Sequence, residues 1–283
     1  MRGFFLITLA IMGSPTVAQS RFGTVAVVYY TKDKIIVAAD SRSTASEPGF
    51  MMVDDWVCKI ATPHGKMIFV SSGFFSWHQA AGDPVPVQSF SNVDEIYPAY
   101  ETAARLYPSN RLLGAAMEWG KLASSHAESL RLSHPEEIAR DLQKEKGTLT
   151  RALFGGLADD GSLQLRMAVI EPQSATDPRV GFTTSEAGCI KNYCAIGETD
   201  ITQEFTTLAS ERARKEAKEW RPPDGSKPAD YDILRTMRLV ELTIKYHLSD
   251  AGGSDVGGPI DAVEMDKNGS VRWFAAKKNC RQD

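Results

Sequence analysis

The chain has 283 residues, 42% of them apolar and 24% charged, with a formal net charge of −4. That length and balance suit a folded chain with a substantial core and exclude intrinsic disorder as the default state. Lys and Arg are scattered along the sequence instead of forming a basic stripe, so no nucleic-acid partner is expected.

The first twenty residues, "MRGFFLITLAIMGSPTVAQS", place Arg2 before an apolar block from Phe4 to Met12 and then small residues ending at Thr16-Val17-Ala18. This is the layout of a secretory signal peptide spanning residues 1–18, and it implies export to a periplasmic or extracellular space. The alternative, an uncleaved N-terminal anchor, is less favoured because the block is far shorter than the roughly 20 residues a membrane-spanning helix needs. With the signal removed, no membrane association is expected.

Two β-branched runs, residues 24–30 and 34–39, flank the polar turn "TKDK" and predict a hairpin. A second pair, 57–61 and 66–72, flanks "TPHG". Residues 81–92, with Pro84 and Pro86, read as a loop, and so does "ASEPGFMMVDDW" at 45–56. Helices follow: "NVDEIYPAYETAARLY" with an Asn cap and an acidic first turn, and "PSNRLLGAAMEWGKLASSHAESLRL" with an apolar stripe of helical period. A short "HPEEIARDLQKEKG" comes next, closed by Gly147.

From Leu149 the pattern returns to strands. "TRALFGGLADDGSLQLRMAVIEP" is a hairpin turning on Asp-Asp-Gly, with two more strands in "RVGFTTSEAG" and "NYCAIGE". One helix over "TQEFTTLASERARKEAKEW" and another over "DYDILRTMRLVELTIKYHLS" are joined by residues 221–229. A last hairpin turns on Asn268-Gly269. Asn268-Gly269-Ser270 also fits a glycosylation sequon, but the turn alone explains it. Strand and helix batches alternating in this way predict one α+β domain, with two antiparallel sheets facing each other and helices over both outer faces.

The four cysteines are too few to hold a chain this long as a disulfide scaffold. Cys189 and Cys194 lie five apart and suit a short loop, leaving Cys58 with Cys280; the pairing is open at this level. The five histidines show no ligand spacing, so neither a metal nor a cofactor is expected.

Four residues carry the chemistry: Thr24 opening the first strand, Asp40 closing the second, Lys59 inside the third and Gly73 ending the fourth. Singly, each has an ordinary reading as strand start, turn former, solvated edge residue or bend. Together, "GT" before the first strand, "VAADSRST", "CKI" and "VSSG" resemble the catalytic β-subunits of the proteasome, within the N-terminal nucleophile (Ntn) hydrolases. The sixteen-residue interval from Thr24 to Asp40 and the fourteen from Lys59 to Gly73 match that family. Between Asp40 and Lys59 the chain is about three residues longer. The likeness extends over residues 23 to about 275, including "VGGPIDAVEMDKNG" near the end.

The resemblance implies a four-layer αββα sandwich and a threonine-type peptidase or amidohydrolase. In that family the Gly-Thr bond is cleaved autocatalytically, here at Gly23, removing a propeptide of residues 19–23 and leaving a single domain of residues 24–283. The freed α-amino group, whose ordinary pKa is about 7.7–8.0, takes the proton of the Thr24 hydroxyl. Lys59 lowers that pKa, Asp40 holds Lys59, and Gly73 donates its N–H to the oxyanion. Thr44 pairs with an extended peptide, and Ser43, Ser71 and Phe75 line the first pocket. A homo-oligomer is one expectation for its partners, with ring assembly left open, since residues 81–92 and the extension near 134–147 look longer than in the family and could obstruct a stacked ring.

The chain also departs from the pattern. Glu198 stands where the family has a Ser, with Thr199 the nearest hydroxyl. Val256 precedes Gly257-Gly258, leaving Asp250 or Ser254 to supply the family's Asp-Ser pair. A non-catalytic assembly or binding subunit, or a small-molecule amidase on the same fold, therefore stands as an alternative to the peptidase.

Overall fold

The computed structural model describes residues 19–22, 24–47, 50–73, 76–78, 90–144, 147–174, 177–197, 199–251, 256–278 and 280. Residues 1–18, expected from sequence to be a signal peptide, lie outside them, as do Gly23, Phe75, Glu198 and Ser254. The first half of the chain supplies β1 (Gln19–Phe22), β2 (Val25–Tyr30), β3 (Lys34–Ala39), β4 (Ser43–Glu47), β5 (Phe50–Asp54), β6 (Ile60–Ala61), β7 (Met67–Gly73), β8 (Ser76–His78) and β9 (Phe90–Ser91). Three helices follow, α1 (Ile96–Leu106), α2 (Arg111–Ser133) and α3 (Pro135–Lys144). The second half adds β10 (Thr150–Leu157), β11 (Leu163–Pro172), β12 (Val180–Glu186) and β13 (Tyr193–Gly197). It ends with α4 (Thr199–Thr207), α5 (Glu211–Glu219), α6 (Tyr231–Ala251), β14 (Asp261–Asp266) and β15 (Val271–Ala275).

The strands form three sheets with the orders β13-β2-β3-β14-β15, β12-β11-β10-β7-β6 and β5-β4-β1-β8-β9. Each strand pairing in them is antiparallel. The mixed α+β class with antiparallel sheets is therefore as the sequence pattern predicts. The third of these sheets is additional to that pattern.

The run "VAVV" in β2 explains how the first two sheets pack. Alternate side chains point to opposite faces. Ala26 and Val28 join Val37, Val70, Leu153, Leu165 and Val263 in an apolar core between the first sheet and the second. Val25 and Val27 point the other way, into a core with Ile36, Phe205, Ala213, Ile233 and Val240 from the strands and α4–α6. On the far face of the second sheet, Phe69 and Phe154 meet Trp119 of α2, with ring centroids 5.2–5.6 Å apart. Strands covered on both faces read as continuous apolar runs, as β2 and β3 do.

The hairpin turns follow their sequence signals. Thr31 N–H bonds the Lys34 carbonyl at 3.0 Å. Gly161 (φ +78°) and Gly269 (φ +77°) supply the left-handed residues of the other two turns. Gly147 (φ +90°) sends its N–H back to the Leu142 carbonyl at 2.7 Å after α3.

Elsewhere the structure corrects the sequence reading. The helix expected over 202–220 is two helices: Leu208 turns left-handed (φ +57°), and Ser210 starts afresh as the cap of α5, accepting the Ala213 N–H. Within the expected loop at 45–56, residues 45–47 and 50–54 are strand and pair as β4 with β5. Residues 90–91 of the expected loop are strand β9. Helix α1 begins only at Ile96, because the Asp94 and Glu95 N–H groups bond the Ser91 carbonyl in a turn, so its first turn carries no acid. Of residues 57–61 only Ile60–Ala61 are strand. Lys59 precedes the strand because 57–59 make tertiary links in place of ladder bonds: Val57 N–H to the Ser41 carbonyl, Cys58 to Cys280 and Lys59 to Asp40.

Candidate active site

Asp40 leaves the end of β3 into the interior and is fully buried. A buried carboxylate must have its lone pairs filled. Four donors converge on this one: the Val25 N–H (2.8 Å) and Lys59 Nζ (2.8 Å) on Oδ1, and the Arg42 N–H (3.2 Å) and Gly257 N–H (3.0 Å) on Oδ2. Lys59, also 0% exposed, sends a further bond to the Arg42 carbonyl. One oxygen of Asp40 therefore bridges the lysine and the backbone next to Thr24, which is itself buried at the entrance to β2.

Three glycines hold tight backbone positions here, and two of them, Gly197 and Gly257, touch this arrangement directly. Gly73 ends β7 with φ +88°, and a Cβ there would lie 2.3 Å from the Leu149 carbonyl oxygen. Gly197 ends β13 opposite Val25 with φ +85°, and a Cβ there would lie 1.7 Å from the Thr24 carbonyl oxygen. Any side chain at 197 would push Thr24 out of place. Gly257 donates to Asp40, and its carbonyl takes the Ser41 and Arg42 N–H groups, both at 3.0 Å. A Cβ at 257 would meet the Arg42 guanidinium at 2.7 Å. Gly197 and Gly257 are positions that motif spacing did not single out for a role; their sequence signal is a Gly at a strand end and a Gly-Gly pair.

Burial pushes the Lys59 ammonium well down from its ordinary value; the charge and hydrogen bond of Asp40 oppose that fall, while Lys277 and Arg42 add to it. Arg42 is itself held outward by a two-pronged pair with Asp55, at 2.6 and 2.9 Å, which lowers the Asp55 carboxyl.

Among the residues expected to contact substrate, Thr44 and Ser43 lie in β4 and Ser71 in β7. The buried Ser43 and Ser71 hydroxyls have no hydrogen-bond partner among the described residues. Residues 19–22 run as β1 between β4 and β8, with Phe22 opposite Thr44, and Arg21 opposite both Ala45 and Ser76. Thr199 is the first residue of α4. Asp250 lies in the last turn of α6, on the element that precedes Val256, and Val256 is buried in the core under the first sheet. Gly23, Phe75, Glu198 and Ser254 fall outside the described residues.

A second buried pair adjoins the first and was not legible from motif spacing. Lys277 Nζ donates to Asp261 Oδ2 and to Ser41 Oγ (2.6 Å), and its backbone N–H donates to Asp261 Oδ1 (3.0 Å). Ser41 Oγ in turn bonds the Pro259 carbonyl. Cys280, three residues on, is disulfide-bonded to Cys58, the neighbour of Lys59. The other bridge joins Cys189 and Cys194.

No group of three or more His, Cys, Asp or Glu among the described residues is placed to hold a metal ion. No helix among them is long and apolar enough to cross a membrane. No protein-family model matches the chain, and no curated protein matches it in sequence.

Proposed function

We propose that the chain is an exported, proteasome β-subunit-like Ntn hydrolase that cleaves peptide bonds with Thr24 as its nucleophile. In this reading the two facing sheets and their outer helices form the four-layer αββα sandwich, and cleavage of Gly23–Thr24 frees the α-amino group. The observation that carries the reading is the bridge made by Asp40 Oδ1, 2.8 Å from both the Val25 N–H and Lys59 Nζ. A structural ion pair has no need to be anchored to the residue after a Gly-Thr bond.

In the mature chain the neutral amine takes the hydroxyl proton as Thr24 Oγ1 attacks the scissile carbonyl. The positive charge of Lys59 disfavours a second one on the amine and keeps more of it neutral near pH 7. The Gly73 N–H meets the developing oxyanion, where one donor is worth about 3 kcal/mol. The amine then protonates the leaving nitrogen. Water attacks the acyl ester, and the threonine is regenerated.

The position of β1 favours a peptide over a small amide as substrate. The segment before Gly23 is an extended strand paired on both sides, so an occupant of that place gains main-chain hydrogen bonds along its length. The Ser43 and Ser71 hydroxyls, buried and unpartnered among the described residues, leave polar capacity for a bound chain. Thr24→Ala is expected to abolish hydrolysis of fluorogenic peptide amides, whereas Thr24→Ser keeps measurable turnover. A Thr24→Ala protein as active as the wild type overturns the assignment, and a wild type that binds peptides without turnover supports the assembly-subunit alternative.

A further inference from the structure

We propose that Lys277, clamped by the Cys58–Cys280 disulfide, is a positioning residue for the Lys59–Asp40 pair, so that full activity requires this disulfide. The inference rests on the Thr24 hydrolase reading and extends it to the C-terminal segment.

The geometry begins with the two cysteines. Cys58 is bonded to a residue 222 positions away, and Lys59 follows it directly. Lys277 lies three residues before Cys280, and its side chain is 3% exposed. One bridge thus ties two lysine-bearing segments together. The Lys277 ammonium then reaches Ser41 Oγ at 2.6 Å, one residue beyond Asp40, while Ser41 is fixed by the Gly257 and Pro259 carbonyls.

A simple staple would not need these groups. Burying a lysine and an aspartate carries a large desolvation cost before their attraction is counted, and apolar replacements are often as stable. Retaining a charged pair beside Asp40 is explained if the charge acts on the site. Lys277 pairs with Asp261 from β14 and acts electrostatically on Lys59, which is itself paired with Asp40 from the end of β3 and faces Arg42, the partner of Asp55. Of the second pair, it is the cation that acts on Lys59, lowering its proton affinity alongside Arg42. Removing that positive charge raises the proton affinity of its neighbours, Lys59 and, through the same field, the Thr24 amine.

The test uses mature, full-length enzyme and a fluorogenic peptide amide across pH. Lys277→Met is expected to move both limbs of the kcat/KM profile upward by about one pH unit. At pH 7 that leaves roughly tenfold less neutral amine and a correspondingly lower kcat, with KM little changed. Lys277→Arg, which keeps the charge, restores the limbs toward the wild-type position, as a merely structural role would not predict. If Lys277→Met does not fold, Lys277→Met with Asp261→Asn leaves no lone buried charge and is read in its place. Cys58→Ser with Cys280→Ser gives the same upward shift. A profile unchanged in Lys277→Met, or in the double cysteine variant, overturns the proposal while Thr24→Ala remains inactive. A wild type without turnover, or an active Thr24→Ala, overturns this proposal and the hydrolase reading together.

Discussion

Two buried lysine–aspartate pairs lie side by side, and they are built differently. Asp40 takes four donors, three of them backbone N–H groups from Val25, Arg42 and Gly257, so the main chain on three segments is organised around it. Among the described residues, the two N–H donors on Asp261 both come from Lys277, side chain and backbone, and Cys280 Sγ lies 3.7 Å from its Oδ2. The first pair is fixed by the fold around it. The second is fixed by a local clasp and by the disulfide at Cys280. Equal burial therefore hides unequal surroundings: the first pair sits against the backbone beside Thr24, the proposed nucleophile, and the second sits against the first.

The largest expected effect on stability comes from cutting the clasp. Replacing Cys58 and Cys280 by Ser releases a closed loop of about 220 residues and is expected to cost about 5 kcal/mol in the chain-entropy account, against about 2 kcal/mol for Cys189 and Cys194, measured by denaturant unfolding. Equal losses for the two bridges would contradict the assignment of the long one as the main tie.

Breaking the first pair tests the comparison next. Lys59→Met leaves Asp40 buried without its cation and is expected to cost about 3–5 kcal/mol, with peptide hydrolysis lost altogether. Lys277→Met is expected to cost a similar amount of stability but only part of the activity. Matching activity losses from the two variants would make the pairs equivalent. Alkaline titration adds a signature. The folded Lys59 releases its proton below 10.5, so between its folded and unfolded values the unfolded chain holds more protons and stability rises with pH. Lys59→Met lacks that rise.

The smallest effect belongs to an ion cluster near the surface, where Lys245 and Arg238, more exposed than the buried lysines, converge on a partly buried Glu216. Glu216 accepts from Lys245, Tyr246 and Arg238, and these bonds, Lys245 first, pull its carboxyl down to about 2 from 4.5. Its contribution is complete above pH 4.5 and is lost as the pH falls toward 2. The cations reach solvent and the pairs are screened there, so Glu216→Gln should remove about 1 kcal/mol of acid-dependent stability in pH-resolved unfolding.

Much of the fold was legible because period and turn chemistry are local. The β2–β3, β10–β11 and β14–β15 hairpins follow from β-branched runs around Thr31–Asp33, Gly161 and Asn268-Gly269. What escaped was set by distant partners. Residues 57–59 read as strand until Cys58 and Lys59 are seen to bond Cys280 and Asp40. The β4–β5 hairpin was hidden in a stretch whose Pro48-Gly49 and acidic residues gave it loop composition. Residues 19–22 carry no strand pattern of their own and become β1 only between β4 and β8. In the candidate site, Asp40, Lys59 and Gly73 were legible as a spaced set, and the structure brings Asp40 and Lys59 into contact. Gly197 was not, since only its closeness to the Thr24 carbonyl shows why the position excludes a side chain. Lys277 and Asp261 were not, because nothing in sequence marks a pair that meets Ser41 across more than 200 residues.

N-terminal sequencing of exported, purified protein shows whether the chain cuts its own Gly23–Thr24 bond to make the proposed nucleophile. The wild type is expected to begin at Thr24, and Thr24→Ala to retain residues 19–23. A wild type that still begins at Gln19 after long incubation, or a Thr24→Ala protein trimmed to residue 24, contradicts that self-cleavage.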